Sequence, residues 1–277
     1  MAIKSFESFL YRLKKKITFF FKPSYRRKRR EKIIFVLSTG RCGSTSITKM
    51  FNQNPRFIAF HEVIPELIGL STKLAENPDS KDEIFSELKR IFRKKKWDGK
   101  KGQVVVHSDH RMWNLVEFLS DYFPNSSFIH LMRNPHDCVQ SFLPRGWYTE
   151  NDIKGEKNIF GKYRLQGDKI GAMSSKMWES YSRLEKCTWY WNYVNTYIEN
   201  ELKDIEEERV QVIKLENLQK EMNEKIGIKH DIESEFNFCN IITNQGSGIE
   251  GLFESEKVSM ALRKFEAEFY SKYYSND

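Results

Sequence analysis

The sequence lacks the features that mark membrane-spanning and secreted proteins. Its 277 residues include no apolar run of the roughly 20 residues that a transmembrane helix needs, and the stretch from Ile17 to Phe21 covers only five positions between lysines. It also lacks a continuous hydrophobic region followed by a small-residue cleavage site, so no signal peptide is predicted. We therefore expect no segment that crosses a membrane.

Cysteine is also scarce. The four cysteines have a spacing that matches neither a zinc motif nor a disulfide framework. Two of them, Cys42 and Cys138, lie within the two motifs described below. Reduced thiols in a cytoplasmic enzyme are the simplest interpretation.

A helical H-E-x-x-H metal motif is absent too. His61, Glu62, His107, Asp109 and His110 are residue types that bind metals, but they fall in two passages from strand to loop, and no cysteine pair supports them. We expect no metal ion at these residues and interpret the histidines first as hydrogen-bonded structural residues.

The sequence has no Walker A motif, G-x-x-x-x-G-K-[ST]. Instead, the apolar run Ile33 to Leu37 predicts a strand buried on both faces, and Gly40 and Gly43 follow it before a helix-like segment. Glycines in such a loop let backbone N–H groups surround an anion, and the helix start adds partial positive charge. Because Ser44 stands in place of the lysine and Arg41 lies inside the loop, an anionic nucleotide is expected but ATP chemistry is disfavoured. For this segment alone, a tight turn without a ligand is the alternative.

A second motif follows another apolar run, Phe128 to Met132. It consists of Arg133, Asn134 and Pro135, with Ser141 eight residues after the arginine. An arginine at the carboxyl end of a parallel strand faces the crevice in which open α/β sheets bind ligands, and its guanidinium group suits a phosphate. The alternative is an arginine that only braces the strand against a helix.

Together the two motifs resemble those of the sulfotransferase family, which transfers a sulfuryl group from 3′-phosphoadenosine 5′-phosphosulfate (PAPS) to a hydroxyl or an amine. The family's R-x-G-[ST]-[ST] loop, which binds the 5′-phosphosulfate, is similar to Arg41 to Thr45, and its R-N-P-x-D-x-x-x-S segment, which binds the 3′-phosphate, is similar to Arg133 to Ser141. The spacing is nearest to tyrosylprotein and carbohydrate sulfotransferases. The resemblance implies a P-loop-like fold, PAPS as cofactor with no metal required, and these cofactor-binding residues: Arg41, Cys42, Gly43, Ser44, Thr45, Ser46, Arg133 and Ser141.

The resemblance also implies where a base and a charge-stabilising group should lie. Glu62 follows Arg41 by 21 residues, the offset at which tyrosylprotein sulfotransferases place their catalytic glutamate, and His110 lies near the position of the catalytic histidine of cytosolic sulfotransferases. Either group can remove the acceptor's proton if its pKa is tuned toward the working pH. Glu62 is the favoured base and His110 the alternative, while Arg41 is expected to neutralise charge on the leaving phosphate.

Apolar runs that alternate with helical stretches predict an α/β fold with a mostly parallel central sheet flanked by helices. The predicted strands are Ile33–Leu37, Phe57–Phe60, Val104–His107, Phe128–Met132 and Gln211–Leu215. No linker divides the chain, so residues 31–277 are predicted to form a single domain. Within it, Asn244 to Gly248 is a candidate for the family's late loop over the 3′-phosphate, although the basic residues usual there are missing.

Positive charge is concentrated in an N-terminal arm, residues 1–30. Residues 1–32 carry twelve Lys and Arg against two Glu, a net charge of +10, and because the whole chain carries +8 the remainder carries −2. Phe6, Phe9, Leu10, Leu13 and Ile17 recur at helical spacing. The arm is therefore predicted either to contact an anionic membrane surface or to dock on the domain. Nucleic-acid binding is not expected, because no recognised module is present.

The acceptor class stays open between a small molecule, a glycan and a peptide. Trp147, Tyr148, Phe160 and Tyr163 lie in a Gly-, Lys- and Asn-rich stretch, which predicts a loop over the acceptor. Two functions remain: a PAPS-dependent sulfotransferase, and a nucleotide-binding, membrane-tethered interaction protein with the same fold but no turnover. The presence of Glu62 and His110 beside the loop favours the enzyme.

Overall fold

The computed structural model describes residues 32–94, 102–156, 159–227 and 255–274. Their strands form one sheet in the order β2-β3-β1-β4-β5, and every neighbouring pair is parallel. The strands are β1 Ile33–Leu37, β2 Phe57–His61, β3 Val104–Ser108, β4 Ser127–Met132 and β5 Val210–Lys214. The predicted α/β fold with a parallel central sheet is therefore confirmed.

Helices cover both faces of this sheet, which explains why the central strand β1 is continuously apolar. All five residues of β1 are buried, and its Phe35 stacks on Phe128 of β4 with ring centroids 5.9 Å apart. The helices are α1 Ser44–Gln53, α2 Leu67–Glu76, α3 Lys81–Lys94, α4 Val116–Tyr122, α5 Pro135–Phe142, α6 Glu150–Ile153, α7 Ser175–Ser180, α8 Arg183–Leu202, α9 Leu218–Glu221, α10 Ser255–Lys264 and α11 Glu268–Tyr274. Short 3₁₀ turns at His110–Met112, Leu143–Arg145 and Leu215–Asn217 and a π-helical turn at Met222–Gly227 connect several of them.

The strand order creates a crevice at the carboxyl ends of β1 and β4. The chain leaves β1 toward β2 and β3 on one side, whereas it leaves β4 toward β5 on the other side. Open α/β sheets bind ligands where the direction of the connections reverses in this way. Both predicted anion-binding motifs follow these two strands, so they meet at this crevice.

Part of the aromatic stretch is core rather than an acceptor loop. Trp147 and Tyr148 are only 8% and 4% exposed. The Trp147 ring stacks on Phe142 with centroids 4.0 Å apart, and the Tyr148 hydroxyl donates to the Leu165 carbonyl at 2.7 Å. The expected role over the acceptor is therefore wrong for Trp147 and Tyr148, whereas Phe160 is 41% exposed.

Several predictions concern residues outside the described ranges. The basic arm of residues 1–30 and the candidate late loop from Asn244 to Gly248 both lie there. The division into an arm and a single domain stays a prediction. Within the described ranges, no helix is long and apolar enough to span a membrane.

Candidate active site

The loop after β1 has the curled backbone that an anion-binding loop needs. Gly40, Arg41 and Gly43 all have φ in the left-handed region, at +77°, +59° and +81°. A Cβ atom built on Gly43 would lie 2.4 Å from Leu215 Cδ1, so only glycine fits both the conformation and the space at this position. The two glycines thus let the loop turn tightly from the sheet into α1.

The start of α1 presents backbone N–H groups to this loop. The helical hydrogen bonds begin with Ile47, whose N–H donates to the Gly43 carbonyl at 3.0 Å, and no side chain caps the helix. The N–H groups of Ser44, Thr45 and Ser46 precede that bond, so they lack helical partners and can bind an anion. Thr45 is partly exposed, whereas Ser44 and Ser46 are buried.

Contacts with β2 and β3 also hold Ser44 in place. Its hydroxyl lies 2.9 Å from His61 Nε2 at the end of β2, and its carbonyl accepts hydrogen bonds from Thr48 and Ser108. These contacts fix the first turn of α1 relative to β2 and β3. They leave the helix start in a defined position before any ligand binds.

The Cys42 side chain is buried in the core. Its Sγ lies 2.9 Å from Thr39 Oγ1 and 3.6 Å from Cys138 Sγ. Cys42, Cys138 and Cys187 are buried free thiols, and burial raises the pKa of Cys138. Any contact of Cys42 with a ligand in the loop would therefore use its backbone N–H.

Arg133 comes directly after β4 and reaches back to the first loop. Its Nη1 donates to the Arg41 carbonyl at 3.3 Å, and its Nη2 lies 3.3 Å from an Asp137 carboxylate oxygen. The next residues begin α5 in the expected way, because the Asn134 side chain caps the helix and Pro135 occupies its first turn. The motif thus places Arg133 beside the loop and turns the chain into the helix that carries Ser141.

Two arginines, Arg41 and Arg145, contact Ser141. Arg41 Nε donates to its hydroxyl at 3.1 Å, and Arg145 Nη1 lies 3.2 Å from the same hydroxyl and 2.7 Å from the Ser141 carbonyl. Burial, together with the nearby charges of Arg145 and Arg133, lowers the pKa of Arg41. The structure thus brings together three predicted residues, Arg41, Arg133 and Ser141, with a fourth that sequence reasoning missed. The signal was available, since Arg145 follows Ser141 by four residues, one helical turn.

The two candidate bases form a hydrogen-bonded pair. Glu62 follows β2 with φ +50°, and one of its carboxylate oxygens lies 2.8 Å from His110 Nδ1. Burial alone would raise the pKa of Glu62, but the hydrogen bond with His110 and the attraction of His110, His61 and Arg111 lower that pKa to about 2. Glu62 is therefore a carboxylate at neutral pH.

An arginine and a second carboxylate lie behind this pair. Buried Asp109 accepts hydrogen bonds from Arg111 Nε at 2.7 Å and from its Nη2 at 3.0 Å, and Arg111 Nη2 is 3.7 Å from Glu62. Burial raises the pKa of Asp109, although the arginine opposes that change. His107 is fully buried, and burial lowers its pKa to about 3, so it is a neutral core residue.

Donor atoms of Glu62, Asp109 and His110 lie within 4.8 Å of one another, a spacing that a metal ion can bridge. Arg111, however, already supplies positive charge to both carboxylates. The positively charged guanidinium group of Arg111 would repel a cation placed among these groups. The donor set therefore fits an ion-paired cluster better than a metal site.

The hydrogen-bonded pair of Glu62 and His110 shares one crevice with the three arginines near Ser141, which are Arg41, Arg133 and Arg145. The ring of His110 packs on the first loop, because a Cβ atom built on Gly40 would lie 3.3 Å from His110 Cγ. With Nδ1 engaged by Glu62, Nε2 is the ring nitrogen left to act on another group. A ligand lying over the loop would thus have arginines on one side and an imidazole on the other.

Comparisons with known proteins match part of the chain to one family model and find similar solved structures. A family model described as "Sulfotransferase family" matches residues 34–164, a range that includes every predicted site residue and Arg145. The chain is similar to the sulfotransferase domain from the curacin biosynthetic pathway, with 17% identity, 74% of each chain covered and a TM-score of 0.45. It is also similar to a sulfotransferase from Alicyclobacillus acidocaldarius, with 14% identity, 86% of this chain and 95% of that chain covered, and a TM-score of 0.46. No curated protein matches the chain.

Proposed function

On the premise that residues 34–164 belong to the sulfotransferase family, we propose that the protein transfers a sulfuryl group from PAPS to a hydroxyl or an amine. The observation that carries the proposal is a chain of contacts beside the start of α1, which no side chain caps: Arg41 donates to the Ser141 hydroxyl, and Arg133 donates to the Arg41 carbonyl. This arrangement supports two anion sites in one crevice, as a nucleotide with phosphate groups at its 5′ and 3′ positions requires.

Each end of the cofactor has its own partners in this proposal. The N–H groups of Gly43 to Ser46, with the Ser44 and Thr45 hydroxyls, would hold the 5′-phosphosulfate. The 3′-phosphate is bound by Arg133 and Ser141. Arginine suits this work because its guanidinium group stays charged and donates two parallel hydrogen bonds to phosphate oxygens.

The reaction is an in-line displacement at sulfur. The acceptor oxygen or nitrogen forms a bond to sulfur, the bond between sulfur and the bridging oxygen breaks, and 3′-phosphoadenosine 5′-phosphate leaves with the electron pair of that bond. Negative charge grows on the leaving phosphate, and in this proposal Arg41 in the loop neutralises it. Like phosphoryl transfer, this reaction depends mostly on positioning and charge stabilisation.

The acceptor's proton goes to the Glu62 and His110 pair. A lone carboxylate with a pKa of about 2 is a weak base at neutral pH. We therefore assign the proton to His110 Nε2, while Glu62 holds the ring through Nδ1 and stabilises the imidazolium that forms. The sequence favoured Glu62 as the base; in this assignment Glu62 works through His110, and variants of both residues test the difference.

Binding of the desulfated cofactor tests the proposal most directly. With EDTA present, 3′-phosphoadenosine 5′-phosphate should bind far more tightly than AMP or ATP in calorimetry and should raise the melting temperature most at equal concentration. Equal affinity for AMP would remove the role given to Arg133 and Ser141. Radiolabelled PAPS offered with small alcohols, glycans and tyrosine peptides then identifies the acceptor class. Tight nucleotide binding with no transfer to any class would favour the interaction protein without turnover.

A further inference from the structure

Two buried cysteines, one from each motif, lie in direct contact. Cys42 belongs to the loop after β1 and Cys138 to α5, and their Sγ atoms are 3.6 Å apart. We propose that these thiols form a modification site at which hydrogen peroxide oxidises them to a disulfide, and that this disulfide weakens nucleotide binding by the loop. The effect on binding, but not the disulfide itself, rests on the proposed function.

The distance between the two sulfur atoms allows a disulfide to form after a small movement. A disulfide bond is about 2.05 Å long, so the Sγ atoms at 3.6 Å must approach each other by about 1.5 Å. Residues 38–43 belong to neither a helix nor a strand, whereas Cys138 lies within α5. The loop that carries Cys42 can therefore supply most of this movement.

Cys42 has the environment of the thiol that reacts first. Burial alone would raise the pKa of Cys42, but hydrogen bonds with Cys138 and Thr39 and the positive charge of Arg133 lower that pKa. Burial and the hydrogen bond with Cys42 raise the pKa of Cys138. Thiolates rather than thiols attack oxidants, and cysteines beside arginines are the ones that ionise readily. The pair thus combines an attacking thiolate with a neighbouring thiol that can complete the disulfide.

The reaction proceeds in two steps. The Cys42 thiolate attacks one peroxide oxygen, the O–O bond breaks, and Cys42 becomes a sulfenic acid while hydroxide leaves and takes up a proton from solvent. The Cys138 sulfur then attacks the Cys42 sulfur, the S–O bond breaks, and the departing hydroxide leaves as water with the Cys138 proton. Two thiols and one peroxide thus give one disulfide and two waters, and two electrons pass from sulfur to oxygen.

The oxidant reaches the pair through the loop. The Cys42 and Cys138 side chains are fully buried, but Arg41 and Gly43, on either side of Cys42, are partly exposed. A local opening of residues 38–43 therefore exposes the Cys42 sulfur without unfolding the sheet. Oxidation should be slow compared with that of an exposed thiol, and it should proceed in the folded protein.

The disulfide would alter the backbone on which the proposed nucleotide site depends. Cys42 directly precedes the N–H groups of Gly43 to Ser46, and it follows Arg41, which donates to Ser141 on the same helix as Cys138. A shift of Cys42 toward α5 moves both neighbours. Because a misplacement of about 1 Å can cost about 100-fold in a preorganised site, the oxidised loop should bind an anion more weakly.

A purely structural role for the two thiols predicts no such reaction. Buried cysteines often act only as small apolar residues, and in that role they are inert. Cys187 in α8 has that environment, because burial raises its pKa to about 12, and no thiol among the described residues contacts it. Cys187→Ser is therefore a matched control.

The experiment exposes the folded protein to hydrogen peroxide, alkylates the remaining thiols in denaturant and identifies the cysteine peptides by mass spectrometry. The wild-type protein and Cys187→Ser should both yield a peptide pair that joins Cys42 to Cys138 and that dithiothreitol separates, and Cys138→Ser should yield none. In calorimetry, peroxide should weaken the binding of 3′-phosphoadenosine 5′-phosphate to the wild-type protein roughly 10- to 100-fold, and dithiothreitol should restore it.

The wild-type protein alone decides the outcome, so no variant has to fold. Absence of the peptide pair joining Cys42 to Cys138 would overturn the modification site, and so would a pair that forms only after unfolding in urea. A disulfide that leaves the nucleotide affinity unchanged would overturn its effect on binding. If the reduced protein binds no nucleotide, the proposed function fails, but the peptide pair still decides whether the modification site exists.

Discussion

Glu62 and His110, 48 residues apart in the chain, share a hydrogen bond of 2.8 Å between a carboxylate oxygen and Nδ1. Each residue alone could be considered as the base, but their contact makes them a single unit. A carboxylate that holds one imidazole nitrogen leaves the other nitrogen oriented toward a substrate, which is the logic of many hydrolase sites.

If the pair acts as one unit, Glu62→Gln and His110→Asn should each lower kcat by roughly 10²- to 10⁴-fold, and the double variant should lose little more than either one. Glu62→Gln keeps the shape but removes the charge that stabilises the imidazolium. The measurement is kcat with one acceptor, with affinity for 3′-phosphoadenosine 5′-phosphate as the control, which should change only a few-fold. Near-normal turnover in His110→Asn would restore Glu62 as an independent base.

The lowered pKa of Glu62 predicts a pH dependence of stability. Its pKa falls from 4.5 to about 2 on folding, so the carboxylate contributes stability that is fully present above pH 4.5 and is lost as pH falls toward 2. The difference in unfolding free energy between the wild-type protein and Glu62→Gln should thus be largest near pH 6 and shrink by pH 3. Urea titrations at these pH values measure it.

A control for this pH series is Glu150→Gln, which removes a solvent-exposed carboxylate paired with Lys154. Solvent screening should make its effect small at every pH. A Glu62→Gln difference that stays constant from pH 6 to pH 3 would contradict the prediction.

Gly43→Ala should destabilise the protein through two separate effects. The residue has φ +81°, and the added Cβ would lie 2.4 Å from Leu215 Cδ1. Gly171→Ala is the matched control, because Gly171 has φ +71° but nothing within 4 Å of an added Cβ. The control should show only the conformational cost of about 1–2 kcal/mol, and Gly43→Ala a larger loss of unfolding free energy.

Combining Gly43→Ala with Leu215→Ala separates the two effects further. Removing the leucine methyl groups relieves the clash but not the backbone strain, so the double variant should be more stable than the sum of the single effects predicts. Urea unfolding checks this. Strict additivity would show that Leu215 does not set the space at the loop.

The basic arm of residues 1–30 predicts association with anionic membranes. The full chain should sediment together with phosphatidylserine vesicles at low salt. Deletion of residues 1–30 should abolish this co-sedimentation but leave turnover of a soluble acceptor unchanged. Vesicles of neutral lipid are the control. If the full chain does not sediment, the membrane interpretation is wrong, and if the deletion unfolds the domain, the arm docks on it instead.

The sequence was sufficient for features that depend on neighbouring residues. The predicted strand Ile33–Leu37 matches β1, and Phe128–Met132 misses β4 by one residue, because strands buried on both faces consist mostly of apolar residues. The turn of the first loop was also predictable, since Gly40 and Gly43 are the residues that adopt positive φ without a Cβ.

Features that depend on distant contacts were not predictable. The sequence treats Glu62 and His110 as alternatives because their contact exists only after β2 pairs with β3. The Gly-, Lys- and Asn-rich neighbours of Trp147 and Tyr148 predict a loop over the acceptor, but the stacking of Trp147 on Phe142 and the hydrogen bond from Tyr148 to the Leu165 carbonyl keep both side chains in the core.

The order of the strands also has a consequence for synthesis on the ribosome. Among the described strands β1 is made first, but it lies in the middle of the sheet, where it pairs with β3 and β4. The hydrogen bond between Arg41 and Ser141 cannot form until Ser141 has been synthesised, 100 residues later. The nascent chain can therefore not complete the proposed nucleotide site until α5 has left the exit tunnel, so a bound nucleotide would stabilise only chains that have already assembled the centre of the sheet.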